Sequence, residues 1–190
     1  MASTGLLALA ASAYADPEGP FLNTDIGVSF LQNFPSGFTT DPGVRFSLAP
    51  GYRIYSDDSF EVSLQLETGL IWNSYKWHSG FSSAQGDMYQ VPVMAGFEYA
   101  FHAGKVVVPY IGVAGGGVYN DREVSGGTLF VNQNGSASSF DGGVQGMAGV
   151  RFRLSDHADL GVGYKFLATF PSGIDYLGTH AVSLTFVWHF

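Results

Sequence analysis

The 190-residue sequence contains no cysteine, which excludes disulfide scaffolds, thiol nucleophiles and cysteine metal sites together. Charge is also scarce, at 13% of residues, and the 8 Lys and Arg are outnumbered by 16 Asp and Glu, for a formal net charge of −8. No basic stripe offsets that balance, so nucleic acid is excluded as a partner. Nor does any run of about 18 apolar residues supply a membrane-crossing helix. What the chain has in quantity is glycine, 26 residues, and aromatic side chains, 15% of the total. Both recur in alternation with small polar residues, the period-two pattern of extended chain.

The first residues, "MASTGLLALAASAYADPEG", carry a short apolar run from Gly5 to Ala11 and a small-x-small site, Ala13-Tyr14-Ala15, before Asp16. This reads as a secretory signal over residues 1–15 that lacks its basic start, followed by one domain over residues 16–190.

Alternation runs through the whole of that domain, broken by clusters of Gly, Pro, Ser, Asp and Asn. It predicts eight strands, near Phe21–Phe34, Pro42–Ile54, Phe60–Tyr75, Met88–Phe101, Val106–Tyr119, Phe140–Leu154, Asp159–Phe170 and Thr179–Phe190, each about 11 to 16 residues long. A tilted strand needs roughly 9 to 11 residues to cross a bilayer, whereas strands of soluble proteins average about half the length seen here. The connections alternate as well. Tyr55–Ser59, His102–Lys105 and Ser155–Ala158 are short, while Pro35–Asp41, Lys76–Asp87, Asn120–Ser139 and Pro171–Gly178 are longer. In an up-and-down meander every second connection lies at one end, so the short turns share an end with both termini and the longer loops share the other.

The two faces of each strand differ in kind. Phe60, Val62, Leu64, Leu66, Leu70 and Trp72 alternate with Glu61, Ser63, Gln65, Glu67, Gly69 and Asn73. Tyr89, Val91, Val93, Phe97, Tyr99 and Phe101 stand against Gln90, Met94, Gly96 and Glu98, and Leu160, Val162, Tyr164, Phe166 and Phe170 against Gly161, Gly163, Lys165 and Thr169. An eight-stranded ring leaves an interior barely wide enough for ordinary side chains, so the bulky apolar set must face outward. A coat of that size in water would aggregate, and its solvent is therefore lipid. The same parity assigns Asp25, Arg45, Arg53, Glu61, Glu67, Glu98, Arg151, Arg153 and Lys165 to the lumen, where long side chains of opposite sign are expected to pair and plug it. Glycines at 27, 51, 69, 96, 149, 161 and 163 on that face leave them room. The remaining acids are expected in loops, turns and the N-terminal segment. The fifth strand, "VVVPYIGVAGGGVYN", is apolar on both faces, and its glycines permit a bulge. Pro50, Pro92 and Pro109 are expected at bulges or strand ends.

With the segments "YQVPVMAGFEYAF", "VPYIGVAGGGVY", "GMAGVRFRLSDHADLGVGYKF" and the end "HAVSLTFVWHF", about half of the domain resembles the small OmpA-like and opacity-type outer-membrane β-barrel proteins of bacteria. The resemblance implies an all-β, transmembrane, eight-stranded antiparallel barrel, monomeric, set in the outer membrane and acting through its external loops. It also implies that Val182, Leu184, Phe186, Trp188 and Phe190, apolar at alternate positions and closing on an aromatic, form the signature read by the outer-membrane barrel assembly machinery. The expected partners are thus outer-membrane lipid, that machinery, and a host or cell-surface ligand at the loops.

Candidate sites of chemistry compete with plain structural roles in this sequence. A lipid A-modifying barrel would need a serine beside its base, but His180 and Ser183 are three apart and so point to opposite faces, and a nucleophile out of reach of its base is not activated. His78, Ser79 and Asp87 form the one local set suited to a rim transferase. Asp57-Asp58 suits a solvated hairpin tip better than calcium, and the five histidines show no metal-ligand spacing. No catalytic residue, metal or cofactor is expected. In the loop "NDREVSGGTLFVNQNGSASS", Gly126-Gly127 and Asn134-Gly135 are turn signals, and a projecting hairpin would carry Leu129, Phe130 and Val131 at an adhesive tip. The resulting expectation is a structural or surface-interaction barrel with periplasmic termini and extracellular long loops. A small-solute channel and a lipid A-modifying enzyme are the alternatives.

Overall fold

The computed structural model describes residues 19–33, 37–79, 82–101, 106–128, 131–172 and 175–190. Antiparallel strands fill them: β1 (Gly19–Gln32), β2 (Phe38–Thr40), β3 (Gly43–Ser56), β4 (Phe60–Ser79), β5 (Ser82–Phe101), β6 (Val107–Thr128), β7 (Val131–Ser155), β8 (Ala158–Thr169) and β9 (Leu177–His189). The long strands pair in chain order, and β9 returns to pair with β1 from Phe21↔His189 to Gln32↔Gly178. Eight long strands therefore close an up-and-down ring, as the alternation predicted. The ninth, β2, is three residues within the Pro35–Asp41 connection and adds only to the last part of β4, through Phe38↔Trp77 to Thr40↔Tyr75. Asp41 and Pro42 separate it from β3; a proline has no N–H with which to continue a ladder.

Ring closure turns the apolar parity outward. Leu66 is 54% exposed, Val113 64% and Leu184 58%, while Arg45, Glu67 and Lys165 on the opposite parity are 2% exposed or less. The segment "VVPYIGVAGGGV" is resolved by the same rule: Ile111, Val113 and Tyr119 face out, and Tyr110, Ala114 and Val118 face in. It carries no bulge; the register with β7 runs unbroken from Val107↔Phe152 to Thr128↔Val131. Tyr110 enters the lumen because Gly149 and Gly163 leave it a path. A Cβ on Gly163 would collide with the Tyr110 hydroxyl oxygen, and one on Gly149 would stand 2.6 Å from it. Gly163→Ala should accordingly displace that ring and cost about 1 to 3 kcal/mol, measured by urea titration of protein refolded into lipid vesicles; an unchanged midpoint would mean the ring is not confined.

Several expectations need correction. The described parts of Lys76–Asp87 and of Asn120–Ser139 are not loops but continuations of the ladders, paired to Ser79↔Ser82 and Thr128↔Val131. Gly126-Gly127 and Asn134-Gly135 consequently lie within paired strand, opposite Gln133, Asn132, Ser125 and Val124. Pro50 and Pro92 sit in mid-strand. Each keeps a partner on one side, Leu22 and Val118, and interrupts pairing on the β4 side, since a ring nitrogen can be left unpaired where the ladder opens locally. Two further acids, Asp141 and Asp159, belong to the lumen and not to the rims. Leu129, Phe130 and residues 1–15 lie outside the described residues.

At the β3–β4 turn Asp57 accepts hydrogen bonds from the Ser59 and Phe60 backbone N–H groups at 2.7 and 2.9 Å and from the Tyr55 hydroxyl at 2.9 Å. The Phe60 and Ser59 bonds hold its carboxyl below the ordinary Asp range. A depressed folded-state value means stability that is present above the unfolded value, near 3.9, and lost as pH falls through the folded one. Asp57→Ala should therefore flatten part of the acid limb below about pH 4 in a refolding titration, and an unaltered limb would contradict this role for the turn.

Candidate functional site

Two regions collect polar side chains: the lumen, and the ends of β4 to β7 that lie away from the termini. The lumen is organised around Glu67. Its Oε2 receives the Lys165 Nζ at 2.8 Å and the Gln145 Nε2 at 3.0 Å, and its Oε1 pairs with Arg45. Arg45 also donates to Gln145 Oε1 at 2.8 Å. Lys165 reaches Asp25 at 2.6 Å, whose carboxylate accepts further bonds from Ser47 at 2.9 Å and Thr185 at 2.6 Å.

A second chain runs toward the end that bears the termini. Arg151 pairs with Glu98 and stands 3.4 Å from Glu61, and its guanidinium lies 4.7 Å over the Tyr110 ring, a stacking that suits a planar cation in a dry site. Arg53 Nε is 3.1 Å from Glu61, and Arg53 also meets His189 Nδ1 at 3.0 Å. His189 Nε2 is 3.1 Å from Asp159, which Arg153 approaches to 3.3 Å. The structure thus brings the nine charged residues assigned by parity into two connected groups, with Asp159, His189 and Tyr110 as additional members. Asp141 stands apart, accepting from Asn120 at 2.7 Å and Ser139 at 2.6 Å, with Gln90 joining Asn120 at 3.0 Å and Thr179 at 2.8 Å. Parity could have found Asp141 and Asp159, which follow Phe140 and precede Leu160, both outward.

Ions this deeply buried persist only when paired and hydrogen-bonded. Around them Ile71, Met94, Val118 and Leu167 are fully buried, and Tyr75, Met88 and Leu177 form an apolar cluster with Leu31 and Phe38 toward the end away from the termini. The arrangement fills an interior with interlocked charge. Among the described residues no group of three or more His, Cys, Asp or Glu is placed to hold a metal ion.

Of the other sequence-assigned residues, Val182, Leu184, Phe186, Trp188 and Phe190 all point outward, from 39% to 71% exposed. His180 and Ser183 lie on opposite faces, Ser183 buried in the lumen and His180 on the outside, against Tyr164 and Gln32. Val131 opens β7.

The sequence model for the outer membrane protein beta-barrel domain matches residues 1–190. The chain belongs to that family. Its outward apolar belt is accordingly a surface in contact with outer-membrane lipid. The barrel is similar to Neisserial surface protein A (17% identity, 90% of this chain and 97% of that one, TM-score 0.57). It is also similar to Ail, the attachment invasion locus protein of Yersinia pestis (16% identity, 92% and 100%, TM-score 0.52), and to the outer membrane protease OmpT of Escherichia coli (5% identity, 91% and 94%, TM-score 0.59). At such identities the likeness is one of fold. No curated protein sequence matches the chain.

Proposed function

We propose that this family member is a surface-interaction barrel whose lumen is sealed by its own ion pairs and whose working part is the sheet that β4 to β7 extend beyond the other strands. The observation that carries this reading is the inequality of strand lengths. β8 and β9 have 12 and 13 residues, close to a single crossing, whereas β6 and β7 have 22 and 25. A tilted strand crosses in roughly 9 to 11 residues, so about half of β6 and β7 stands in water as a paired, pre-ordered surface. Binding surfaces held on rigid elements lose less entropy on association than free loops. Ail, a structural neighbour whose name is that of an attachment invasion locus, is consistent with such a role on this fold.

In this reading the protruding sheet is extracellular, the short turns and both termini are periplasmic, residues 1–15 are a signal, and the outward aromatic side of β9 engages the assembly machinery. The barrel is a monomer and has no enzymatic activity; His180 and Ser183, on opposite faces, cannot work as base and nucleophile.

The cysteine-free sequence makes the topology testable with single thiols. Ser125→Cys, on the protruding part of β6, should react with a membrane-impermeant maleimide on intact cells, and Asp58→Cys, in a short turn, only after the outer membrane is opened. Labelling of Asp58→Cys on intact cells would invert the orientation. Deleting residues 120–139 should abolish attachment of cells to matrix or host surfaces, and unchanged attachment would remove the interaction reading. A steady large conductance of the pure protein in a planar bilayer would replace it with a channel.

A further inference from the structure

The protruding sheet has two edges, and they are finished differently. On the β4 side, β2 covers Tyr75–Trp77. On the β7 side, pairing with β8 stops at Gly143↔Thr169, and a last bond runs from the Phe170 N–H to the Gly142 carbonyl at 3.0 Å. The next residue is Pro171, which has no N–H and cannot extend the ladder. In a regular strand the N–H and C=O of alternate residues point to the same neighbour. Phe140, Ser138 and Ser136 therefore direct their peptide groups to the side of Gly142, where no strand meets them among the described residues. Natural sheets guard such an edge with Lys, Pro or a bulge. Here the edge reads Gly135-Ser136-Ala137-Ser138-Ser139, without charge or proline, and its register with β6 is unbroken.

We infer that the β7 edge from Ser136 to Phe140 is a docking site for an extended basic peptide segment of an extracellular protein, which joins the sheet as a further strand. The inference rests on the surface-interaction reading and names its site.

The basic character follows from what lies one strand further in. Ser136 and Ser138 are directly opposite Glu123 and Asp121 of β6, and Glu123 is in turn opposite Asp87 of β5. These three carboxylates share the outward parity, and none is in an ion pair with a described cation. Like charges directly across a ladder repel, so Asp87 and Glu123 are improved by an incoming cation. A recess of about 430 Å³ opens beside them, lined by Gly86, Asp87, Glu123, Ser125 and Ser136 among others. An added strand would lie about 4.8 Å from β7 and so roughly twice that from β6. The small serines leave a clear path over β7, and an extended Lys or Arg spans the distance. Basic residues opposite Ser136 and Ser138 would be two apart in the peptide, on one side of it, and the next position on that side meets Phe140, which is 72% exposed. The recognised segment is thus basic-x-basic flanked by an apolar residue, extended and free of proline at the paired positions. Pairing with the same edge of a second copy would bring two sets of carboxylates together, which disfavours that occupant.

The test uses the full barrel refolded in lipid nanodiscs and a fluorescent ten-residue peptide alternating lysine with threonine and ending in valine. Anisotropy should report saturable binding. N-methylating the peptide's alternate amides should weaken it about tenfold or more through lost main-chain bonds. Ser138→Pro should have a similar effect, since it removes an edge donor without touching the β6 ladder, and unchanged heat-modifiable gel mobility will show that this variant is folded. Asp121→Asn with Glu123→Gln should weaken binding and remove most of its salt dependence. Absence of binding, or N-methylated peptide binding within about twofold of the parent, would overturn the inference, as would self-association of the barrels in place of peptide binding. If cells carrying Ser138→Pro attach normally while deletion of residues 120–139 abolishes attachment, the edge assignment fails and the surface-interaction reading stands. If the deletion is also without effect, the reading itself fails.

Discussion

Leu66→Arg should lower the stability of the barrel by about 2 to 4 kcal/mol in a lipid refolding titration. Leu66 lies midway along the membrane part of β4, between Phe60 at the short turn and Trp72 toward the opposite end, and is 54% exposed on the outward face. In water an exposed leucine is an ordinary surface residue, and arginine there would be harmless. The cost arises only because the surrounding solvent is hydrocarbon, where a guanidinium loses its hydration. Ser125→Arg has the same outward parity but stands on β6 beyond the lipid, and it should shift stability by no more than about 0.5 kcal/mol. The pair separates solvent from parity. Equal losses would mean that the apolar belt is not a lipid surface at the level of Leu66.

Glu67→Gln should be the most damaging isosteric change in the lumen, at about 3 to 5 kcal/mol. Among the described residues Glu67 is the one carboxylate shared by Arg45 and Lys165, with Gln145 on the same oxygen as Lys165. Neutralising it keeps the volume but leaves Arg45 buried without an anion, while Lys165 retains Asp25. Uncompensated buried charge, more than the loss of a favourable pair, sets the size of the effect. Replacing Arg45 and Glu67 together by Met and Leu should recover much of the loss, because the pair is removed as a unit, Lys165 keeps Asp25, and an apolar filling of similar volume requires no desolvation of ions. The Glu67→Gln barrel should also show brief small openings in a planar bilayer that the unaltered protein lacks. If the single variant were as stable and as quiet as the parent, the lumen would hold enough water to screen its charges, and the sealed interior would be the wrong description.

How far the residues alone reach can be seen in β9. Val182, Leu184, Phe186, Trp188 and Phe190 share one face by simple counting, and the structure turns that face outward. The same counting resolves Asp25 from Thr24 and Lys165 from Phe166. It fails at element ends, where Lys76–Asp87 and Asn120–Ser139 look like loops because they are rich in Gly, Ser, Asn and Asp. Those residues have low strand propensity, but the neighbouring strand's hydrogen bonds outweigh it, as at Gly126↔Gln133 and Gly135↔Val124. Turn chemistry is a local preference and ladder pairing is a cooperative one.

Alternation, strand length and the poverty of charge were sufficient by themselves to determine an eight-stranded lipid-facing ring, since side-chain parity repeats every two residues whatever the partner strand. Which charges meet was decided only by the tertiary structure. Lys165 on β8 finds Asp25 on β1 and Glu67 on β4, residues 140 and 98 positions away, because the stagger of the closed ring fixes their relative height across the lumen. The open β7 edge is likewise a consequence of unequal strand lengths around that ring, a comparison between neighbours that no single segment contains.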